Sequence, residues 1–111
     1  MAIPMPMTQF SREVTVEISV HKVKPYVRVS LDPFYVSKDA NQEVKWVAGK
    51  GVEDFLVEFG DDSPFYEKQF SNYAPLSGLV RRDVQPHDGK TYKYTVWVGN
   101  LSEDPTGGVK R

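Results

Sequence analysis

The chain of 111 residues contains no cysteine, and this absence excludes several kinds of chemistry together. Disulfide bonds, thiol nucleophiles and cysteine-ligated metals all require a thiol. The only two histidines, His21 and His87, are far apart in the sequence. A mononuclear zinc or copper site usually takes about three or four protein ligands, so two separated histidines are more typical of surface or turn residues. The sequence therefore predicts no metal and no other cofactor.

An excess of basic charge and a long apolar run are also missing. The net charge is -1, whereas nucleic-acid-binding domains usually carry a clear basic excess, so we expect no nucleic-acid partner. No apolar run approaches the roughly 18 residues that a membrane span needs. The segment 1–7 has no basic region and contains Pro4 and Pro6, which is a poor signal peptide. These features favour a cytoplasmic location unless the chain is a trimmed mature form.

Motifs for catalysis are missing as well. There is no Gly-x-Ser-x-Gly element, no phosphate-binding P-loop and no His-Glu-x-x-His pair. No serine has a histidine and an acid at a suggestive position. The sequence therefore predicts that the chain is not an enzyme.

What the chain does contain is a series of short alternating segments, of which 91–98 is the clearest. Its residues divide between two faces: Tyr92, Tyr94, Val96 and Val98 on one, and Lys93, Thr95 and Trp97 on the other. A period of two with aromatic and β-branched residues is typical of a strand with one buried face.

Similar alternation elsewhere predicts strands at 14–20, 27–31, 42–47 and 55–59, and 79–84 is a candidate edge strand. The aromatic segment 65–78 lacks strict alternation and predicts a packed loop or a single helical turn. Short strands separated by turns, with no convincing helix, indicate one all-β domain. We predict a two-sheet antiparallel sandwich of Greek-key type over residues 13–111, preceded by a flexible arm at 1–12.

From Val27 onward, four segments follow one another in a recognisable order. They are a strand ending in an aromatic residue (Val44-Lys-Trp46), an alternating strand (Asp54-Phe-Leu-Val-Glu-Phe59), an acidic turn (Gly60-Asp-Asp-Ser-Pro64) and a Tyr-x-Tyr strand (Tyr92-Lys-Tyr94). This order resembles the cupredoxins, the small copper-binding β-sandwiches related to plastocyanin, over roughly residues 27–111. Immunoglobulin-like sandwiches share much of the pattern, so the expected fold is cupredoxin-like or immunoglobulin-like.

The resemblance implies a fold without its copper site. In cupredoxins, copper is held by a histidine that opens the middle strand and by a cysteine, a histidine and usually a methionine near the last loop. The matching positions here are Asp54, Val96, Gly99 and Asp104. A type 1 site needs the thiolate for its short bond to copper, so neither copper binding nor electron transfer is expected.

Four acidic residues could instead form a site if their loops met: Asp54, Asp61, Asp62 and Asp104. Carboxylate oxygens suit Ca²⁺, which takes about six to eight oxygen ligands. Their spacing is not that of an EF-hand loop, and acidic turns are more often simply solvated. A calcium- or small-ligand-binding domain is therefore one alternative function.

Aromatic residues are the other candidates. The partner-binding candidates are Phe65, Tyr66, Phe70, Tyr73 and Trp97. The rings of the 65–78 segment either cover an open end of the sandwich or stay exposed and contact a partner, as aromatic residues do at interfaces. The leading hypothesis is a non-catalytic binding or protein-interaction module. A second alternative is a structural subunit that self-associates through an edge strand such as 14–20.

Overall fold

The computed structural model describes residues 12–21, 23–86 and 89–111 of the chain. Most of the predicted arm and the predicted turn residue His87 lie outside these ranges. The described residues form β-strands without a helix, so they include no helix that is long and apolar enough to cross a membrane. The strands are β1 (Glu13–Val20), β2 (Val27–Val29), β3 (Phe34–Ser37), β4 (Glu43–Ala48), β5 (Leu56–Phe59), β6 (Gln69–Ser71), β7 (Tyr92–Val98), β8 (Leu101–Glu103) and β9 (Thr106–Lys110).

These strands form two sheets, which confirms the all-β, two-sheet prediction. The smaller sheet has the order β2-β1-β4, and the larger has the order β3-β9-β7-β5-β6, with β8 also paired to β7. The pairs β1–β4 and β3–β9 are parallel, so the sheets are mixed and not purely antiparallel as predicted. Parallel neighbours need a long connection, and β2 and β3 lie in the one between β1 and β4. The Greek-key connection stays a prediction.

The strand order of the smaller sheet bears on the predicted edge strand. β1 was predicted as a candidate edge strand, yet it lies between β2 and β4. The outer side of β4 is covered in turn by the segment 75–77. The Trp46 N–H donates to the Pro75 carbonyl over 3.1 Å, and the Ser77 N–H donates to the Val44 carbonyl over 2.8 Å. In the strand register, however, β2 pairs only with Ile18–Val20 of β1, so self-association through an edge strand stays a prediction.

Two further segments differ from the prediction. The 65–78 segment contains the short strand β6, which pairs antiparallel with β5. The predicted strand at 79–84 is instead a turn with one isolated bridge, between Phe65 and Val80. Because the Val84 N–H donates to the Arg81 carbonyl over 3.1 Å, this segment closes on itself and cannot extend as a strand.

The core lies between the sheets and is centred on Trp46 of β4, which is fully buried. Its ring centroid lies 5.0 Å from that of Phe70, 5.9 Å from Tyr94 and 6.1 Å from Phe59. These three rings belong to the larger sheet. Aromatic pairs at such separations contribute about 0.5–1.5 kcal/mol each beyond the apolar area they bury.

Strand β7 has the predicted two faces. Tyr92, Tyr94 and Val96 are buried in the core, whereas Lys93 and Trp97 are exposed on the opposite side. Side chains alternate along a strand, so the inward position of Tyr94 and Val96 requires Trp97 to point outward. This alternation places the tryptophan on the outer face of the larger sheet.

Gly107 of β9 allows a close approach of strand and ring. A Cβ atom at this position would lie 2.1 Å from Cζ of Phe34, which packs directly over the glycine backbone. Glycine inside a strand often marks such a contact.

We therefore expect Gly107→Ala to lower the free energy of unfolding by about 1–3 kcal/mol, because the Phe34 ring must move. Urea unfolding followed by circular dichroism measures the loss. Gly60→Ala is the matched control, since a Cβ there would meet nothing within 4 Å. Equal midpoints for the two variants would contradict the packing described.

Candidate functional site

The outer face of the larger sheet carries an exposed tryptophan. Trp97 is 38% exposed and lies between β5 and β8, with Leu56 and Ser102 as its partners in the strand register. Leu56 is half-buried and forms an apolar neighbour for the indole. A large aromatic side chain left partly in water on a sheet is a candidate contact residue.

Glu58 of β5 fixes the orientation of this indole. The Trp97 Nε1–H donates to Glu58 Oε1 over 2.8 Å, and Gln69 Nε2 of β6 donates to Glu58 Oε2 over 2.9 Å. Glu58 pairs with Thr95 in the register, so Trp97 is its diagonal neighbour, within reach of long and aromatic side chains. Both carboxylate oxygens thus accept hydrogen bonds from neutral donors on the two flanking strands.

A second carboxylate, Asp54, lies just before β5. Asn72 Nδ2 donates to Asp54 Oδ1 over 2.9 Å, and the Phe55 N–H donates to Asn72 Oδ1 over 3.1 Å. Asn72 therefore ties the loop after β6 to the start of β5. The Tyr73 hydroxyl lies 3.5 Å from the same Asp54 oxygen, a long contact, and the ring is 84% exposed. Asp54 links the tyrosine to the surface that contains Trp97.

An open groove of about 500 Å³ runs along this surface. We call it the Trp97 groove; its lining residues are Asp54, Phe55, Leu56, Glu58, Trp97 and Gly99. The apolar part of the groove surface comes from the Trp97 indole and from β5. Its negative charge comes from the carboxylates of Asp54 and Glu58. In the described part of the chain, neither carboxylate forms an ion pair within 4.0 Å. The groove combines an aromatic face with uncompensated negative charge.

The other aromatic candidates lie elsewhere. Phe65 and Phe70 are only 1% and 3% exposed, because they pack against the rings of Phe59 and Trp46 in the core. Neither is available as a partner-binding residue, which corrects the prediction for this pair. Tyr66 is 61% exposed, but it belongs to a separate groove, where its hydroxyl accepts a hydrogen bond from the Arg82 N–H over 3.0 Å.

The four acidic candidates do not converge. Asp54 precedes β5 whereas Asp61 and Asp62 follow it, so the strand separates them. The hydrogen bond from the Lys68 ammonium, 2.8 Å from Asp61 Oδ1, and its positive charge lower the pKa of Asp61. Asp104 Oδ1 accepts a hydrogen bond from Thr95 Oγ1 over 2.8 Å. Within residues 12–21, 23–86 and 89–111, no group of three or more histidine or acidic side chains could hold a metal ion.

The four positions that the resemblance matches to copper ligands do not lie together as one set, and Asp104 is the residue that accepts the hydrogen bond from Thr95. Asp54 and Gly99 line the Trp97 groove, whereas Val96 is fully buried on the opposite face of β7. Gly99 has a φ of 60°, the left-handed conformation that favours glycine in the turn between β7 and β8. Val96 therefore packs in the core, Gly99 forms a turn, and Asp54 lines the groove.

We compared the chain with protein-family models, with curated proteins and with solved structures, and none of the three comparisons gave a match. The resemblance to cupredoxins therefore stays a prediction.

The sequence indicated Trp97, Tyr73 and Asp54 separately but did not identify Glu58 and Asn72 as residues of the site. One signal for Glu58 was present, since the alternation of 55–59 places it on the outer side of its strand. That β5 lies beside β7 could not be read from the same alternation. Asn72 gave no signal, because its role depends on the fold of the loop after β6.

The burial of Phe70 and the exposure of Tyr73 give a direct test. We expect Phe70→Ala to lower the free energy of unfolding by about 3–5 kcal/mol, since it leaves a cavity beside Trp46. Tyr73→Ala should change it by no more than about 0.5 kcal/mol. Urea unfolding measures both, and a comparable loss in the tyrosine variant would contradict its placement at the surface.

The separation of the acidic residues gives a second test. A ligand that binds only the folded state raises the melting temperature by mass action. We expect millimolar Ca²⁺ to leave the melting temperature unchanged in differential scanning calorimetry, with Mg²⁺ as the control for ionic strength. A rise specific to Ca²⁺ that Asp61→Asn abolishes would show that the acidic loop binds calcium after all.

Proposed function

We propose that this chain is a non-catalytic binding module for another protein and that the Trp97 groove is its contact surface. The observation that carries the proposal is the partly exposed indole of Trp97, held by Glu58 beside an open groove. The scaffold is a cupredoxin-like sandwich without a type 1 copper site, a part of the proposal that rests on the sequence resemblance alone. The non-catalytic part rests on the lack of catalytic motifs in the sequence.

The fixed position of the indole supports a role in binding. Tryptophan is enriched among the few interface residues that contribute most of the binding free energy. A side chain that is already held in one orientation loses little conformational entropy when a partner binds. The hydrogen bond from Trp97 Nε1 to Glu58 supplies that restraint before any partner arrives.

The second support is an exposed tyrosine close to one of the carboxylates of the groove. Tyr73 projects into solvent near Asp54, so the surface offers two aromatic residues of the kinds that predominate at interfaces. Strand β6, which precedes Tyr73, is the last strand of the larger sheet on this side. Tyr73 is therefore a second candidate contact residue near the groove.

A selection of random linear peptides displayed on phage, with the folded protein as bait, tests the proposal. We expect selected peptides to bind the parent protein and to lose at least about thirtyfold in affinity with Trp97→Ala, as for a contact residue at the centre of an interface. Isothermal titration calorimetry with the synthetic peptides measures the loss.

Tyr66→Ala is the matched control, because Tyr66 is exposed but lines a different groove. Thermal unfolding of each variant checks that the fold is kept. The proposal fails if the selection yields no peptide, or if the selected peptides bind Trp97→Ala as tightly as the parent.

A further inference from the structure

The charge of the Trp97 groove differs from that of three other grooves on the described residues. Its lining residues include two carboxylates, Asp54 and Glu58, and no basic side chain. Three other grooves on the described residues each carry basic residues: one has Lys38 and Arg82, one has Lys38 and Arg111, and one has His21, Arg28 and Lys50. The groove with Lys38 and Arg111 also contains Asp39, so of these four grooves only the Trp97 groove has carboxylates without a basic side chain.

The donors that hold the two carboxylates are neutral. Glu58 accepts hydrogen bonds from Trp97 and Gln69, and Asp54 accepts one from Asn72. These contacts fix the carboxylates in position but leave their charges uncompensated. A neutral ligand that covered the groove would remove both charges from water without replacing that solvation, which is costly. A cationic ligand would offset the cost through direct ion pairs.

The tryptophan adds a second preference for a cation. The face of an indole ring attracts a cation through its quadrupole, and tryptophan is the strongest of the aromatic residues in this respect. The Nε1–H of Trp97 already donates to Glu58, so a ligand would contact the ring and not this donor. The partly exposed indole and the two carboxylates therefore favour the same kind of group.

We infer, on the basis of the proposed function, that the Trp97 groove binds a cationic side chain of the partner protein and that this side chain is arginine. A guanidinium group is planar, so it can stack on the indole while its N–H groups reach the carboxylates. It is also less strongly hydrated than the lysine ammonium and is easier to bring into a partly apolar groove. Charge-assisted hydrogen bonds to Asp54 and Glu58 are the strong contacts in this arrangement.

The test is a titration followed by NMR, with the capped tripeptide acetyl-Gly-Arg-Gly-amide as the probe. The chain has two tryptophans, so the ¹⁵N spectrum contains two indole signals, which Trp97→Phe assigns. We expect the arginine peptide to shift the Trp97 indole signal and the Leu56 amide in a saturable way. The Trp46 indole, which is buried in the core, should not move and serves as the internal control.

Matched probes separate charge from shape. The citrulline peptide has nearly the same shape as the arginine peptide but no charge, and we expect it to bind at least about tenfold more weakly. The lysine peptide should fall between the two. Added NaCl should weaken arginine binding, because salt screens exposed charges, and should leave citrulline binding unchanged.

Matched variants locate the charge. Asp54→Asn and Glu58→Gln keep an acceptor oxygen for Asn72 and Trp97 but remove one negative charge each, and each should weaken arginine binding by about fivefold to tenfold. Asp62→Asn makes the same change in net charge at an exposed position outside the groove, and should have no effect. An unchanged Trp46 indole signal in each variant shows that the core is intact.

Three results would overturn the inference. Equal binding of the arginine and citrulline peptides would mean that charge does not select the ligand. A shift of the Trp97 indole by a leucine peptide or by methyl glucoside, but not by the arginine peptide, would assign the groove to a neutral ligand. If no probe moves this signal, the inference also fails. None of these three results decides the proposed function. That proposal is tested separately, by whether Trp97→Ala weakens binding of the selected peptides.

Discussion

The packing of Trp46 between the two sheets is the interaction on which the rest of the structure depends. This indole, from the smaller sheet, contacts rings carried by the larger one, with Phe59, Phe70 and Tyr94 among them. Trp46 Nε1 and the Tyr94 hydroxyl are buried without a hydrogen-bond partner of normal geometry among the described residues. Burial raises the pKa of Tyr94, and the nearby indole Nε1–H of Trp46 lowers it in part. The net pKa is raised, so the phenol stays neutral. The centre of the fold therefore combines close aromatic packing with two buried polar atoms.

The candidate site follows from this core because side chains alternate along each strand. When Tyr94 and Val96 turn toward Trp46, Trp97 must turn outward, and when Val57 and Phe59 turn inward, Glu58 must turn outward. The pairing of β5 with β7 then brings Glu58 to the indole. A slip of one residue in this pairing would exchange the two faces of a strand and separate the carboxylate from the tryptophan. The core thus fixes the geometry of the groove on its opposite side.

The same alternation explains how much the sequence could predict. The two faces of β7, the outward position of Trp97 and the two-sheet class follow from local patterns that repeat every two residues. The central position of β1, its parallel pairing with β4 and the closed turn at 79–84 depend on contacts between distant segments, for which no local pattern exists. The contact between Asp54 and Asn72 belongs to this second class, because it joins two loops 18 residues apart in sequence. Local patterns therefore indicated which residues face outward, but not which of these residues contact one another.

The positions that the predicted resemblance matches to copper ligands bear on the kind of ligand that suits this surface. At the position that the predicted resemblance matches to the copper thiolate the chain has Val96, which is buried in the core. Asp54 remains at the surface, where a hydrogen bond from a neutral amide holds it without cancelling its charge. A carboxylate that is fixed and uncompensated favours a positively charged ligand, whereas a metal ion would need several such oxygens around one point. With Glu58 as the second carboxylate and Trp97 between β5 and β8, the surface is better matched to a flat organic cation than to a metal.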